Sequence, residues 1–261
     1  MKRAALITGA TSGIGLEIAK LHASNHGNLI LIGRNNDKLL SLASEIHKQY
    51  NISTYILCED LSEIGAAQRI YDYVVSNNIK VEYLINNAGF GGIDEFYKQD
   101  INLMQEMINV NITTLTCLTR LFLPHMIENR HGRILNISSI ASIMPGPLQA
   151  IYYASKSYVS SLTNAISEEL KGTGVSITNI MPGPTKSNFG ARSGMDKTII
   201  FKKTASSKEV AAKAYESMLM GKRNSYAGVG LLEKIVLYTI PLLPKSLVLR
   251  VTKKLQVKLK D

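Results

Sequence analysis

Three tyrosines and one lysine stand close together in the segment AIYYASKSYV, residues 150–159. Tyr152 precedes Lys156 by four positions and Tyr153 precedes it by three, so on a helix either phenol can share a face with the amine. A neighbouring cation favours the phenolate and lowers the pKa of a tyrosine, which is ordinarily about 10. Such a phenol can exchange a proton with the oxygen of a carbonyl group during its reduction. Tyr158 projects from another side of the helix and is expected to pack.

A glycine-rich turn joins the first apolar run, AALIT at residues 4–8, to a helical pattern that begins LEIAKLHA. Glycines let the backbone approach a ligand closely, and the N–H groups and dipole at a helix N-terminus favour an anion. The turn therefore predicts a site for the pyrophosphate of a dinucleotide. The residues expected to form it are Gly9, Thr11, Ser12, Gly13, Ile14 and Gly15.

The end of the second apolar run, NLILIG at residues 28–33, bears on the choice of coenzyme. An acidic residue about twenty positions after the glycines would bind a ribose 2′-hydroxyl, whereas an arginine can clamp a 2′-phosphate. Arg34 stands nineteen residues after Gly15, with Asp37 three residues further on. We therefore expect NADP(H), with NAD(H) as the alternative.

The apolar runs have the length of strands and are continuous rather than alternating, as expected for strands covered on both faces. They lie at residues 4–8, 28–33, 54–58, 83–86, 133–138 and 176–180. Amphipathic stretches of helical length separate them, which predicts a parallel sheet with right-handed crossovers. The expected fold is α/β, a Rossmann-type doubly wound sheet with helices on both faces, and its ligands bind beyond the carboxyl ends of the strands.

These motifs, in this order, resemble those of the short-chain dehydrogenase/reductase family, classical type, over roughly residues 3–190. The turn G-x-x-x-G-x-G is similar to that family's TGxxxGxG signature. In its Y-x-x-x-K pattern the tyrosine corresponds to Tyr152 rather than Tyr153. The resemblance thus implies that Tyr152 and Lys156 are catalytic and that both also contact the coenzyme.

The resemblance implies two further catalytic residues. The family's serine, thirteen residues before the tyrosine, corresponds to Ser139, with Ser138 as the weaker candidate. Its asparagine, which distorts a helix and holds a water for a proton relay toward Lys156, corresponds to Asn111 in INVNITT, with Asn109 as the local rival.

The other coenzyme contacts are likewise implied by the resemblance. An aspartate after the third run corresponds to the family residue that binds adenine, and Asn-Asn-Ala-Gly after the fourth run corresponds to the family's NNAG motif. A Pro-Gly loop after the sixth run corresponds to the segment that positions the nicotinamide. The implied residues are Asp60, Leu61, Asn87, Ala88, Gly89, Pro182, Gly183, Thr185 and, as the alternative to Thr185, Ser187.

We expect one catalytic domain over residues 1–228, with a substrate lid at about 186–206, and a basic amphipathic helical tail at 229–261. The apolar residues of the lid, Phe189 and 199–201, indicate an apolar substrate. The tail mixes apolar residues with lysine and arginine around two prolines. Three roles are open for it: docking on its own domain or on a partner subunit, lying in the headgroup region of a membrane, or binding another partner.

Thirty basic and twenty acidic residues give a net charge of +10, which suits a polyanion, an anionic membrane or a phosphorylated small molecule. Motifs of nucleic-acid binding are lacking, so no such partner is expected. Cys58 and Cys117 belong to no cluster with metal-ligand spacing, so no metal is expected. The apolar run before Thr8 is too short for a signal peptide, which predicts a cytoplasmic protein and leaves membrane association open.

Together these features predict an NADPH-dependent oxidoreductase that reduces a ketone, or oxidises the secondary alcohol, of a hydrophobic substrate such as a lipid or steroid. One alternative is a reductase of 3-oxoacyl groups on carrier protein or coenzyme A. The others are an NADP(H)-binding sensor without turnover and a lipid-surface scaffold. The family resemblance also implies a homodimer or homotetramer that pairs through the helices at about 100–129 and 152–171.

Overall fold

The computed structural model describes residues 2–257 and is built around a parallel sheet of seven strands. The strands along the chain are β1 (Lys2–Thr8), β2 (Asn28–Gly33), β3 (Thr54–Cys58), β4 (Ile79–Asn86), β5 (Gly132–Ile137), β6 (Val175–Pro182), β7 (Thr185–Lys186), β8 (Ala205–Ser206) and β9 (Asn224–Ala227). The spatial order is β3-β2-β1-β4-β5-β6-β9, and β7 pairs with β8 outside this sheet. The winding reverses between β1 and β4, where a ligand site is expected.

Helices cover both faces of the sheet. They are α1 (Gly13–Ser24), α2 (Asn36–Tyr50), α3 (Ala66–Ser76), α4 (Ile101–Ile108), α5 (Leu115–Glu128), α6 (Ala150–Glu169), α7 (Asn188–Ser193), α8 (Ser207–Leu219), α9 (Leu231–Thr239) and α10 (Lys245–Gln256). A π-helical segment, Asn109–Thr114, joins α4 to α5, and short 3₁₀ turns occupy Phe96–Lys98, Ile140–Ile143, Ile199–Lys202 and Ile240–Leu242.

Each face of the sheet has its own apolar core, which explains why the apolar runs are continuous. On β1, Ala5 and Ile7 pack with α1, α2 and α8 on one side of the sheet. Ala4 and Leu6 pack with α3 and α5 on the other side. Successive residues of a strand point to opposite faces, so a strand covered twice needs apolar residues throughout. The predicted doubly wound fold is confirmed.

Local signals locate some helix ends well. Either Ser206 or Ser207 could cap the helix SSKEVAAKAYESMLMG, and the structure selects Ser206. Its hydroxyl accepts from the Glu209 N–H at 3.1 Å, and the Glu209 carboxylate accepts from the Ser206 N–H at 3.3 Å. This reciprocal pair is a capping box, and α8 begins directly after it.

The tail forms two helices, and the second of them packs on the chain's own domain. In α10, Val248, Thr252 and Gln256 are buried. The Thr252 hydroxyl donates to the Met144 sulfur at 3.6 Å, and α10 contacts the lid segment Ile199–Lys202. Within residues 2–257, no helix combines the length and the apolar character needed to cross a membrane.

Candidate active site

A cavity of about 1130 Å³ lies at the carboxyl ends of the strands, where the winding of the sheet reverses. Nearly all the predicted catalytic and coenzyme-binding residues line it. The two that do not are Gly15 and Asn111, which lie behind its wall. Residues from distant parts of the sequence are therefore brought together as the motif order predicts.

The glycine turn owes its composition to backbone conformation and close approach. Gly9 and Gly13 have positive φ angles of 66° and 56°, which side chains disfavour. A Cβ at Gly15 would lie 2.5 Å from the Gly9 carbonyl oxygen and closer still to Nδ2 of Asn87. That amide nitrogen donates to the Thr8 carbonyl at 2.9 Å, so the Asn-Asn-Ala-Gly segment holds the glycine turn in place through this hydrogen bond.

Replacing Gly15 by Ala should therefore disturb both the turn and the Asn87 amide. We expect a loss of about 1–3 kcal/mol in the free energy of unfolding, as for other overpacked sites, together with weaker NADPH binding. Thermal unfolding and a fluorescence titration with NADPH measure the two effects. Gly92→Ala is the matched control, because a Cβ there meets only side-chain ends at ordinary contact distance, the Met107 methyl at 3.6 Å and Leu103 Cδ2 at 3.8 Å. Equal behaviour of the two variants would contradict this account of Gly15.

The start of α1 is suited to an anion. Ser12 precedes the helix in an extended conformation, and its side chain makes no capping hydrogen bond. The first N–H groups of a helix lack partners within the helix, so they can bind a phosphate. The lid begins beside this turn, since a Cβ at Gly13 would lie 3.0 Å from the Ser187 Cβ.

Tyr152 lies on the first turns of α6 with its ring in the cavity wall and only 7% of the residue exposed. The Ser139 hydroxyl is within hydrogen-bonding reach of its phenol. Lys156 is one helical turn further along, with Nζ 5.9 Å from the centre of the Tyr152 ring. Nζ donates to the Ile137 carbonyl at 2.8 Å. The three side chains therefore face one point of the cavity.

Tyr153 has a different environment from its neighbour. Its ring stands against Gly146, where a Cβ would collide with it, and against Gln256 of α10. It also borders a second, smaller hollow beneath Leu249. Spacing alone does not decide which of Tyr152 and Tyr153 shares a site with the lysine. The structure places Tyr152 beside Ser139 and Lys156.

The pKa of Tyr152 shifts in the direction opposite to the predicted one. Burial raises the pKa of Tyr152 to about 12, and the hydrogen bond with Ser139 only partly opposes this. Burial also lowers the pKa of Lys156 to about 8. The expected lowering of the tyrosine pKa by the lysine is therefore not found, because desolvation of the phenol is the largest cause of its shift. At neutral pH the phenol is protonated and able to donate.

The π-helical segment presents Asn111 to the same region. Its Nδ2 donates to the Phe90 carbonyl at 3.0 Å, and its Oδ1 accepts from the Phe90 N–H at 3.1 Å. A Cβ at Gly89 would lie 3.1 Å from Asn111 Oδ1 and 3.2 Å from Lys156 Nζ. Gly89 thus leaves the space between the amide and the amine open.

The rival residues have partners elsewhere. Ser138 donates to the Lys156 carbonyl at 2.9 Å, so its hydroxyl holds α6 to β5. Asn109 donates to the Ser62 carbonyl at 2.9 Å and fastens the loop after β3. The Thr185 hydroxyl donates to the Gly183 carbonyl at 2.8 Å, whereas that of Ser187 accepts from an N–H of α7.

The end of the cavity at Arg34 holds a second cation that no sequence pattern predicts. Arg34 lies 3.6 Å from the Asp60 carboxylate, which also accepts hydrogen bonds from Ser62 at 2.9 and 2.7 Å. Arg192, on lid helix α7, also lines the cavity. Burial lowers the pKa of Arg192, and the nearby charge of Arg34 lowers it further. The segment NFGARSGM has no period that could have identified this arginine.

The rest of the cavity is mainly apolar and includes part of the tail. Lid and loop residues contribute Met144, Phe189, Met195, Ile199, Ile200 and Phe201. The tail contributes Leu232, Val236, Leu237 and Leu255. Sequence patterns did not predict that α9 and α10 form part of this wall.

Comparison with known proteins identifies the family. The sequence profile described as short chain dehydrogenase matches residues 3–198, about three quarters of the chain. Very-long-chain 3-oxoacyl-CoA reductase from Anas platyrhynchos is 36% identical over 68% of this chain, which spans only 58% of that protein's length. Sulfoacetaldehyde reductase 2 from Chromohalobacter salexigens is 36% identical over 74% of this chain and 77% of its own.

A solved structure supports the same assignment. A short-chain dehydrogenase from Sphingobium yanoikuyae, in complex with NADPH, superposes with a TM-score of 0.79 and 26% identity. The match covers 87% of each chain. The chain therefore belongs to the short chain dehydrogenase family, as its motifs predict.

Proposed function

We propose that this chain is an NADP(H)-dependent oxidoreductase that interconverts a ketone and a secondary alcohol on a hydrophobic substrate. The observation that carries the proposal is the convergence of Ser139, Tyr152 and Lys156 on one point of the cavity, next to the glycine turn. A sensor that binds the coenzyme without turnover has no need of this arrangement.

The cavity suits both anionic groups of the proposed coenzyme, the pyrophosphate and the 2′-phosphate. The uncapped start of α1 is a site for the pyrophosphate, and Arg34 with Arg192 offers two guanidinium groups to a 2′-phosphate. The relative from Sphingobium yanoikuyae, which was solved with NADPH, agrees with this choice. When bound, NADPH supplies the hydride that reduces the carbonyl carbon.

The protein's own residues handle the oxygen and the proton. The hydroxyls of Ser139 and Tyr152 donate hydrogen bonds to the substrate oxygen, which stabilises the negative charge that develops there. Tyr152 then gives its proton to that oxygen. Lys156 returns a proton to the phenolate, since burial brings the pKa of its amine to about 8. Asn111 faces the lysine across the space at Gly89. The family resemblance assigns to this asparagine the water that resupplies the lysine.

Among hydrophobic ketones, a long 3-oxoacyl thioester has specific support. The apolar wall extends from the lid to the tail, and Lys202 and Lys203 stand beside it, where they suit the phosphates of coenzyme A or an acidic carrier protein. The Anas platyrhynchos relative is a reductase of very-long-chain 3-oxoacyl-CoA. A steroid-like ketone fits the apolar wall but leaves the two lysines without a role.

A substrate panel with NADPH oxidation as the readout tests the proposal. It comprises 3-oxoacyl-CoA esters of increasing length, the same chains as simple ketones, a steroid ketone and sulfoacetaldehyde. We expect kcat/KM for the thioesters to rise with chain length, because each added CH₂ buries apolar surface, and to exceed that of the matched ketone. Tight NADPH binding without turnover of any member would favour the sensor.

We also propose that the chain pairs through α4, α5 and α6, as the family resemblance implies. Large apolar side chains on these helices are exposed, among them Ile101 at 66%, Ile108 at 37% and Tyr158 at 39%. Sedimentation velocity of Tyr158→Glu against the wild type tests this pairing.

A further inference from the structure

The helix α9 carries an apolar surface that the other residues of the range 2–257 leave uncovered. Five of its side chains are apolar and 55–78% exposed, namely Leu231, Leu232, Ile235, Val236 and Tyr238. Leu237 is its buried residue. Leu242, in the turn before α10, is 83% exposed and extends the surface. A helix that is apolar on nearly every side normally has a partner to cover it.

The helix α10 continues this surface. Residues four apart share a helix face, so its side chains fall into rows. The row that packs on the domain is Val248, Thr252 and Gln256. A second row, Leu247, Val251 and Leu255, is 39–47% exposed. The apolar surface of the tail thus spans both helices.

The charged side chains beside these apolar rows are mainly positive, and the one carboxylate in α9 and α10 is Glu233, which accepts from the Gly230 N–H at 2.8 Å. Residues 234–257 contain five cations and no aspartate or glutamate: Lys234, Lys245, Arg250, Lys253 and Lys254. Lys253 lies near Glu95 of the domain. Elsewhere in residues 2–257 no carboxylate forms an ion pair with the other four. The face therefore complements an anionic partner.

The same surface runs into the cavity. Leu232 and Val236 line the cavity and are nevertheless 78% and 58% exposed, so they form its rim. Leu255 of α10 also lines the cavity and is 39% exposed. An apolar molecule could pass from outside to the catalytic tyrosine along apolar side chains.

We propose that α9 and α10 dock the protein on an anionic lipid bilayer, with the cavity rim facing the lipid. Apolar side chains of such a segment lie below the headgroups, while its lysines and arginines meet the phosphates. Apolar exposure, an excess of positive charge and continuity with the cavity all point to this occupant. The entry of a hydrophobic substrate from the bilayer rests on the proposed function. Binding to the bilayer does not, since it needs neither coenzyme nor turnover.

Sedimentation of the full chain with vesicles tests the charge. Vesicles of phosphatidylcholine and phosphatidylglycerol in equal parts are compared with vesicles of phosphatidylcholine alone. We expect binding to the anionic vesicles, weakened about fivefold for each cation removed and so roughly 25-fold in Arg250→Gln with Lys254→Gln. The control pair, Lys48→Gln with Lys222→Gln, removes the same charge at the opposite end of the sheet and should change binding less than twofold.

A second pair of variants tests the apolar surface. Leu231→Ser with Ile235→Ser removes side chains that are 77% and 55% exposed, so the fold is expected to survive. The matched control is Ile64→Ser with Val75→Ser, whose side chains are 92% and 51% exposed, one just before α3 and one on it. We expect at least a tenfold loss of vesicle binding in the first variant only. Turnover of a short, water-soluble ketone should be unchanged in both.

Two results would overturn the proposal. One is the absence of binding to anionic vesicles by the wild-type chain. The other is an equal loss in the tail variants and their controls. If Leu231→Ser with Ile235→Ser instead dissociates a dimer in sedimentation velocity, a second copy of the chain covers the face. Because vesicle binding and ketone turnover are separate readouts, failure of the docking and failure of the proposed reaction can be told apart.

Discussion

Replacing Tyr152 by Phe is expected to lower kcat by about 10²–10⁴-fold while leaving NADPH affinity within a few-fold of the wild type. The change removes one oxygen and keeps the ring, whose centre lies 5.4 Å from the centre of the Phe189 ring. The substrate oxygen then lacks its proton donor, whereas the coenzyme keeps the glycine turn and the two arginines. Steady-state NADPH oxidation and a fluorescence titration with NADPH give the two quantities.

Tyr153→Phe is the matched control for this experiment. Tyr153 is the next residue of α6 and is as buried as Tyr152, at 6% against 7% exposed. Both variants therefore remove a buried phenolic hydroxyl from the same helix turn. Only the Tyr152 variant should lose turnover, and a comparable loss in Tyr153→Phe, or an active Tyr152→Phe, would reject the assignment.

The raised pKa of Tyr152 agrees with a proton donor rather than a standing phenolate. With a pKa of about 12 the phenol keeps its proton throughout the neutral range, and reduction of a ketone consumes that proton. Lys156, with a pKa of about 8, is the group whose protonation changes near neutral pH. We therefore assign the lysine to restoring the proton rather than to acidifying the phenol.

The parts of the fold that follow from local chemistry could be predicted from the sequence. The six apolar runs became β1–β6, and the amphipathic stretches between them became helices, as in α2 with NDKLLSLASEIHKQY at residues 36–50. The seventh strand, β9, was missed because its sequence, NSYA, is short and half polar. This strand forms by pairing with the edge of β6, and no local sequence pattern predicts such pairing.

The catalytic set could be located by spacing, but its energetics could not. Whether Lys156 or burial controls the pKa of Tyr152 depends on a distance and on the surrounding protein, and neither is visible in Y-x-x-x-K. The same holds for Arg192, which reaches Arg34 only through the fold of the lid. The position of α10 could not be predicted either, because it depends on a contact with Met144, which is distant in sequence.

Replacing Arg34 by Asp should reverse the coenzyme preference from NADPH toward NADH. Loss of a charge-assisted hydrogen bond to the 2′-phosphate costs about 1.5–3 kcal/mol, or roughly 10–150-fold in kcat/KM, and the new carboxylate repels the phosphate further. For NADH the same carboxylate can accept a hydrogen bond from the ribose 2′-hydroxyl. The ratio of kcat/KM for NADPH to that for NADH measures the change.

Arg34 can take up this role because its present partner holds it weakly. The ion pair with Asp60 spans 3.6 Å between side chains that are 49% and 39% exposed, and such surface pairs contribute little. Arg192→Gln is the comparison, since it removes the other guanidinium from the lid without adding a negative charge. We expect Arg192→Gln to lower kcat/KM for NADPH by less than Arg34→Asp does, and not to make NADH the preferred coenzyme. If Arg34→Asp keeps the NADPH preference and Arg192→Gln loses it, Arg192 is the residue that binds the 2′-phosphate.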